Sequence, residues 1–203
     1  MTESVVYVVD DDGSIRDSME WLCRSASLAC RTFSSAEAFL REERPDVPSC
    51  LVLDLRLEGK CGLEILQGWR EHAERGIPTI VVTGTGDVTL AVRGMKLGIV
   101  DFMEKPADPE LLLDRVRDSI KLDVERRRAD VQRAMMFSRM QHLTKREREL
   151  LKLVCNGLSN KQIAATLNIS IKTVANHRAS LIAKVRAENT ADLVRLAVSA
   201  NAA

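Results

Sequence analysis

No C-x-x-C pair occurs in this chain of 203 residues, and its five cysteines, Cys23, Cys30, Cys50, Cys61 and Cys155, are odd in number. With only His72, His142 and His177 beside them, no zinc-ligand spacing can be assembled. Reduced, mostly structural thiols follow from the burial preference of cysteine. No apolar run is long enough to span a bilayer, and the start MTESVV has no basic segment leading into an apolar one. We therefore expect a cytoplasmic protein with no membrane insertion. A G-x-x-x-x-G-K-[ST] stretch is also missing, which excludes a phosphate-loop nucleoside triphosphatase.

What is present is an ordinary soluble composition with an uneven charge. The net charge of +1 conceals residues 1–121 with 22 acids and 15 bases, residues 122–140 with 3 and 5, and residues 141–203 with 4 and 10. An acidic part joined to a basic part suggests domains with different partners, the basic one being a nucleic-acid candidate.

Residues 1–121 alternate between strand and helix signals. VVYVV (5–9), ACRTF (29–33), CLVLD (50–54), TIVVT (79–83) and IVDFM (99–103) read as strands. Between them, Ile15, Met19, Leu22 and Ala26 recur at helical spacing, and Ser34-Ser35-Ala36-Glu37 fits a capping box. Further helices are expected over 62–74, with Leu63, Leu66 and Trp69 on one face, over 87–97 and over 108–121. Strict alternation predicts an open parallel sheet with helices on both faces, its crevice beyond the carboxyl ends of the strands. Residues 122–140 contain no Pro or Gly and are expected as a helical linker, the alternative being a mobile connector.

Polar groups collect at the crevice edge. Asp10, Asp11 and Asp12 follow the first strand, Asp54 closes the third, Thr83 closes the fourth and Lys105 follows the fifth. Ionised carboxylates repel by roughly 4 kcal/mol per pair at ~4 Å and an effective dielectric near 20, so either a positive group sits among them or they point apart into water. Such a cluster suits Mg²⁺, a hard cation with oxygen ligands. A carboxylate beside it can act as a nucleophile toward phosphorus, with Lys105 and Thr83 taking the phosphoryl oxygens. Asp12, just before Gly13-Ser14-Ile15, is open to the plainer reading of a helix N-cap.

The arrangement VVDDD, LVLDLR, VVTGTGD and DFMEKP resembles the receiver domain of bacterial two-component response regulators, over about residues 3–121. The resemblance implies a flavodoxin-like, doubly wound five-stranded fold. It implies phosphorylation at Asp54 by a sensor histidine kinase. It also implies Mg²⁺ binding by Asp10, Asp11, Asp54 and the backbone carbonyl of Arg56, phosphoryl contacts from Thr83 and Lys105, and a rotamer switch at Phe102. Two departures stand out. The Met-Pro step usual after the phosphorylation site is replaced by Leu55-Arg56-Leu57-Glu58-Gly59-Lys60-Cys61-Gly62, and Thr85 stands where relatives often carry a ring.

Residues 141–203 read as all helix. Thr144-Lys145-Arg146-Glu147 and Ser159-Asn160-Lys161-Gln162 are capping boxes, Asn168-Ile169-Ser170 is a turn, and helices follow over 171–185 and 190–200. A capped helix, a turn and another capped helix suggest helix-turn-helix. On a wheel of about 100° per residue, Val174, Leu181 and Val185 form one seam, with Lys172, Asn176, Ala179 and Ala183 opposite. That small, polar outer face fits a major groove or, alternatively, a merely solvated surface. Asn176 suits adenine, and Lys161, Lys172 and Arg178 suit phosphates, while His177 lies nearer the core flank. Residues 143–185 resemble the LuxR-type DNA-binding domain, which favours double-stranded DNA as partner and adds Thr173 to the contact set. Ala175 departs from relatives that often carry a longer side chain there.

Both motifs together resemble the FixJ branch of the NarL/FixJ response regulators. The expected architecture is a receiver (1–121), a helical linker (122–140) and a four-helix DNA-binding domain (141–203). The expected function is transcriptional control through phosphorylation of Asp54. That step would promote homodimerisation, with Arg93, Lys96, Asp101 and Asp114 as candidate contacts and RNA polymerase as a further candidate partner. The chain is not expected to be a dedicated enzyme, although it accepts a phosphoryl group and autodephosphorylation is open to it. A phosphohydrolase of the haloacid dehalogenase class needs a second Asp two residues after the nucleophile, where this chain has Arg56. A DNA-binding protein with a passive receiver is the remaining rival.

Overall fold

The computed structural model describes residues 4–57, 60–62, 67, 76–84 and 88–201. Its elements in chain order are β1 (Val5–Val9), α1 (Gly13–Ser25), β2 (Ala29–Phe33), α2 (Ala36–Arg41), β3 (Ser49–Leu53), β4 (Arg56–Leu57) and β5 (Lys60–Cys61). There follow β6 (Thr79–Thr83), α3 (Val88–Lys96), β7 (Asp101–Glu104), α4 (Pro109–Gln141), α5 (Lys145–Cys155), α6 (Asn160–Leu167), α7 (Ile171–Val185) and α8 (Thr190–Asn201). The helix expected over 62–74, with Leu63, Leu66 and Trp69, lies largely outside the described residues, as does Thr85. The chain divides into two compact units, Met1–Arg127 and Arg128–Ala203.

In the first unit, β1 leads a parallel sheet of order β2-β1-β3-β6-β7. This is the open parallel sheet that the alternation predicted, in the flavodoxin-like strand order that the resemblance implied. Because side chains alternate across a strand, Val5, Tyr7 and Val9 enter one apolar cluster with Leu51, Leu53 and Val81. Val6 and Val8 enter another with Cys50, Val52, Ile80 and Val82. Phe39 of α2 covers the first face, and Met19 and Cys23 of α1 with Leu112 and Val116 of α4 cover the second. Strands buried on both faces read as continuous apolar runs, as parallel strands do.

Three expectations change. The cap of α2 is Ser35 accepting from the Ala38 N–H, so the box expected from Ser34 and Glu37 does not form as such. Beyond Asp54 the chain makes a short antiparallel hairpin, β4 with β5, that no periodicity announced. The strand expected from Ile99 begins at Asp101. Gly98 turns with φ of 76° at the end of α3, and the Ile99 N–H returns to the Gly94 carbonyl instead of joining the sheet.

α4 runs unbroken through the residues expected as linker. It holds no Gly and no Pro after its first residue, and carries ion pairs at helical spacing such as Asp114–Arg117, Asp118–Lys121 and Asp123–Arg127. None of the described helices is long and apolar enough to cross a membrane. Cys23, Cys30, Cys50 and Cys155 are free thiols.

The second unit packs Met136, Leu143, Leu150, Leu151, Val154, Ile163, Val174, Leu181, Val185 and Leu193 into one cluster. Both predicted capping boxes are formed, Thr144 with Glu147 and Ser159 with Gln162. Such caps contribute about 1 kcal/mol each. Asn168 ends α6 in the left-handed region, and Ser170 caps α7.

Candidate functional site

The three aspartates after β1 take three different roles. Asp10 is buried and receives the Asp12 N–H on Oδ1 at 3.0 Å. Asp11 is exposed. Asp12 caps α1, accepting the Ser14 N–H at 2.8 Å and the Ser14 hydroxyl at 2.7 Å. The Ser14 bonds hold the Asp12 carboxyl below its ordinary range. The plainer reading of Asp12 is therefore the one its geometry supports.

Backbone pairing brings the remaining groups to the same edge. The Asp54 N–H donates to the Val9 carbonyl at 2.9 Å, and the Lys105 N–H donates to the Thr83 carbonyl at 2.8 Å. The carboxylates of Asp10, Asp11 and Asp54 each offer an oxygen within 4.8 Å of the others. Of the two alternatives, the structure shows a positive group among them, Lys105. Its Nζ donates to Asp10 Oδ2 at 2.6 Å and Asp54 Oδ2 at 2.7 Å. Burial alone would lower the Lys105 pKa, but the bonds to Asp10 and Asp54 outweigh it and the net direction is upward.

Thr83 is fully buried, and its Oγ1 has no hydrogen-bond partner among the described residues. A buried hydroxyl in that state is poised to serve an incoming acceptor. Phe102 is half-buried against the Tyr7 side of the core, its N–H donating to Asp101 Oδ1 at 2.8 Å. Arg56 opens β4 and donates its N–H to Asp54 Oδ1 at 3.0 Å. Three carboxylates that each bring an oxygen within 4.8 Å of the others match the hard oxygen donor set of Mg²⁺, so the residues present fit such an ion.

Of the candidate self-association contacts, Arg93 and Lys96 are exposed on α3. Asp101 is half-buried and engaged by Arg115 Nε at 2.9 Å. Asp114 is exposed and accepts from Arg117 at 3.3 Å.

In the second unit, Val174, Leu181 and Val185 are buried while Lys172, Asn176, Ala179 and Ala183 are exposed. Ala175 and Lys161 are exposed too, and His177 is half-buried. Thr173 is taken up locally: its N–H and hydroxyl both bond the Ser170 hydroxyl at the start of α7. Arg178 is half-buried and donates to Asn160 Oδ1 at 2.8 Å, so it ties α7 to α6 instead of standing on the outer face.

Sequence reasoning missed several residues. Glu147 is buried beyond its capping role and accepts from Ser180 at 2.9 Å and Lys184 at 2.8 Å. Its position after Thr144 was a visible signal for the cap and carried none for the distant partners. A Cβ on Gly62 would sit 2.6 Å from the Asp54 carbonyl oxygen, so only glycine allows that approach. Arg16, an isolated arginine in α1, donates to the carbonyls of Asp10 and Asp11, both at 2.8 Å.

Comparison with known proteins matches residues 6–117 to the response regulator receiver domain and residues 141–197 to bacterial regulatory proteins of the luxR family. The transcriptional regulatory protein FixJ of Azorhizobium caulinodans is 42% identical over 206 aligned residues, covering 100% of this chain and 96% of that protein. Nodulation protein W of Bradyrhizobium diazoefficiens is 43% identical over 204, covering 98% and 89%. Among solved structures, the response regulator StyR aligns with a TM-score of 0.79 at 38% identity, covering 96% of this chain and 98% of that one. Full-length FixJ from B. japonicum aligns with a TM-score of 0.58 at 34% identity, covering 100% of both.

Proposed function

The chain belongs to the two-component transcriptional response regulators that join a receiver to a LuxR-type DNA-binding domain, and from that premise we propose that Asp54 is its phosphoacceptor and that phosphorylation there controls promoter binding. The observation that carries this reading is the Lys105 ammonium bonded to Asp54 and Asp10 at the sheet edge, with a Thr83 hydroxyl, unpartnered among the described residues, buried on the neighbouring strand.

The receiver's partner is a sensor histidine kinase. Asp54 offers a carboxylate oxygen as nucleophile to the phosphohistidine phosphorus; an O–P bond forms on Asp54 as the P–N bond breaks, and the kinase imidazole leaves with the electron pair and takes up a proton. Lys105 then moves its hydrogen bonding onto a phosphoryl oxygen, and Thr83 Oγ1 donates to another. Asp10, Asp11, Asp54 and the Arg56 carbonyl would hold Mg²⁺. When bound, that ion neutralises charge on the transferring oxygens. Thr83 leaving its resting position opens room for Phe102, and the surface of α3, β7 and the first turns of α4 changes. Arg93, Lys96, Asp101 and Asp114 lie on these elements and are the proposed dimer contacts. A dimer places two α7 helices about one DNA turn apart. Asn176 then faces the groove, Lys161 and Lys172 the phosphates, and RNA polymerase is a downstream partner. Autodephosphorylation by water resets the switch, and no dedicated enzymatic turnover is proposed.

The test is intact mass after incubation with acetyl phosphate and Mg²⁺, native protein against Asp54→Asn. One phosphoryl mass on the native protein alone is expected, with tighter operator binding and self-association of that species. A phosphorylated protein that gains neither would overturn the switch. No adduct, together with no binding of beryllofluoride, would overturn the phosphoacceptor assignment.

A further inference from the structure

One residue gathers the backbone of all three aspartates. The Arg16 N–H donates to the Asp12 carbonyl at 3.1 Å. Its Nη1 donates to the carbonyls of Asp10 and Asp11, both at 2.8 Å. Three successive carbonyls therefore turn toward α1 and end on the same arginine. The peptide between Asp11 and Asp12 is held at both ends, its carbonyl by Arg16 and its N–H by Asp10 Oδ1 at 3.0 Å. Turning the Asp10 and Asp11 carbonyls onto the guanidinium leaves the side chains of these two residues directed to the crevice where Asp54 stands. The planar guanidinium suits this task because it offers several donors in a fixed plane.

We propose that Arg16 is a positioning residue for the divalent-cation site, fixing the turn that brings the Asp10 and Asp11 carboxylates to Asp54 without itself touching the ion. The inference rests on the reading of Asp10, Asp11 and Asp54 as a Mg²⁺ site. It has a sign that a simple charge effect does not share. Arg16 is a cation near a site for a cation, so by Coulomb repulsion alone its removal should tighten Mg²⁺ binding. A positioning role predicts the opposite.

The experiment is calorimetric titration of Mg²⁺ into the full chain, comparing wild type with Arg16→Met, Arg16→Lys and Arg24→Met. Arg24 lies on the same helix, exposed and paired with Glu20, and controls for the loss of one charge. Arg16→Met should weaken Mg²⁺ binding about ten-fold or more, the scale of losing a supporting group behind a metal ligand. Arg16→Lys should fall between. Arg24→Met should change affinity by less than about twofold, its charge being distant and screened. A second readout is the Mg²⁺ dependence of phosphorylation by acetyl phosphate. In Arg16→Met the half-saturating Mg²⁺ should rise while the rate at saturating Mg²⁺ returns to the wild-type value. Unchanged or tighter Mg²⁺ binding by Arg16→Met overturns the proposal, as does a rate deficit that saturating Mg²⁺ does not repair. If Arg16→Met does not fold, Arg16→Lys carries the same comparison. Wild-type protein that binds no Mg²⁺ overturns the metal-site reading itself, a different failure from a wild type that binds and an Arg16 variant that matches it.

Discussion

Lys105 Nζ stands 2.7 Å from Asp54 Oδ2, with the lysine side chain 21% exposed and the aspartate side chain 8% exposed. The pair is held between the ends of β3 and β7, with β6 lying between them in the sheet, and Asp10 shares the same ammonium. Removing the lysine leaves carboxylates crowded at a buried edge. Lys105→Ala should lower stability by about 3 kcal/mol in the absence of divalent ions, the scale of breaking a buried ion pair. Mg²⁺ should restore a larger part of the stability in this variant than it adds to wild type. Urea unfolding of both proteins with and without Mg²⁺ checks this.

Gly62→Ala should damage the Asp54 loop directly. The added methyl would meet the Asp54 carbonyl oxygen at 2.6 Å, and the Gly62 N–H now bonds the Leu55 carbonyl at 2.9 Å. Overpacking against backbone costs about 1–3 kcal/mol. We expect a lower melting temperature and slower acetyl-phosphate labelling, while Gly84→Ala, whose Cβ position has no atom within 4 Å among the described residues, should be milder.

A receiver ended after residue 121 should be less stable than one ended after residue 127. Asp123 is buried and accepts the Ser49 N–H at 3.0 Å and Arg127 Nε at 2.7 Å. Arg127 also pairs with Asp46. The shorter chain leaves the Ser49 amide without its acceptor, which costs about 1–3 kcal/mol. Equilibrium unfolding of the two truncations, with Asp123→Ala in the full chain, measures it.

Glu147 gives a pH signature. Burial would raise its pKa, but bonds from Lys184, the Thr144 N–H, Ser180 and the Thr144 hydroxyl outweigh that and bring it from 4.5 to about 2. A carboxyl with a depressed folded-state pKa contributes stability that is full above its unfolded value and lost as pH falls through the folded one. Glu147→Gln should therefore be less stable than wild type at neutral pH. The difference should close between about pH 4.5 and about pH 2, followed by denaturant unfolding of the helical signal.

The outer face of α7 separates base readers from phosphate binders. Lys172→Ala should reduce the slope of log affinity against log salt by about 1, with little change in sequence preference. Asn176→Ala should lose about 1–3 kcal/mol of discrimination at one base pair. Arg178→Ala should act mainly on stability, because its guanidinium is bonded to Asn160 inside the unit. Salt-dependent binding to specific and scrambled duplexes, with melting curves, distinguishes the three.

The strands and their covering helices were legible because burial on both faces demands long apolar runs, as in VVYVV and TIVVT, and these stand out from the capped helices between them. Capping boxes at Thr144 and Ser159 were equally legible, since their partners lie three residues away. The β4–β5 hairpin and the late start of β7 were not. One depends on two-residue strands too short for a period, and the other on where the Ile99 amide found its acceptor.

By itself, the sequence determined which groups reach the sheet edge, because strand length and parallel winding place every residue after a strand on the same side. Asp10, Asp11, Asp54, Thr83 and Lys105 follow from that rule, as does the exposed face of α7 opposite Val174, Leu181 and Val185. Tertiary structure alone decided what those groups bond. Lys105 spans two carboxylates that precede it by 95 and 51 residues, Glu147 collects Ser180 and Lys184 at separations of 33 and 37, and Arg178 turns inward to Asn160. Local periodicity carries no information about such distant partners, which are chosen only when packing brings complementary charges within hydrogen-bond reach.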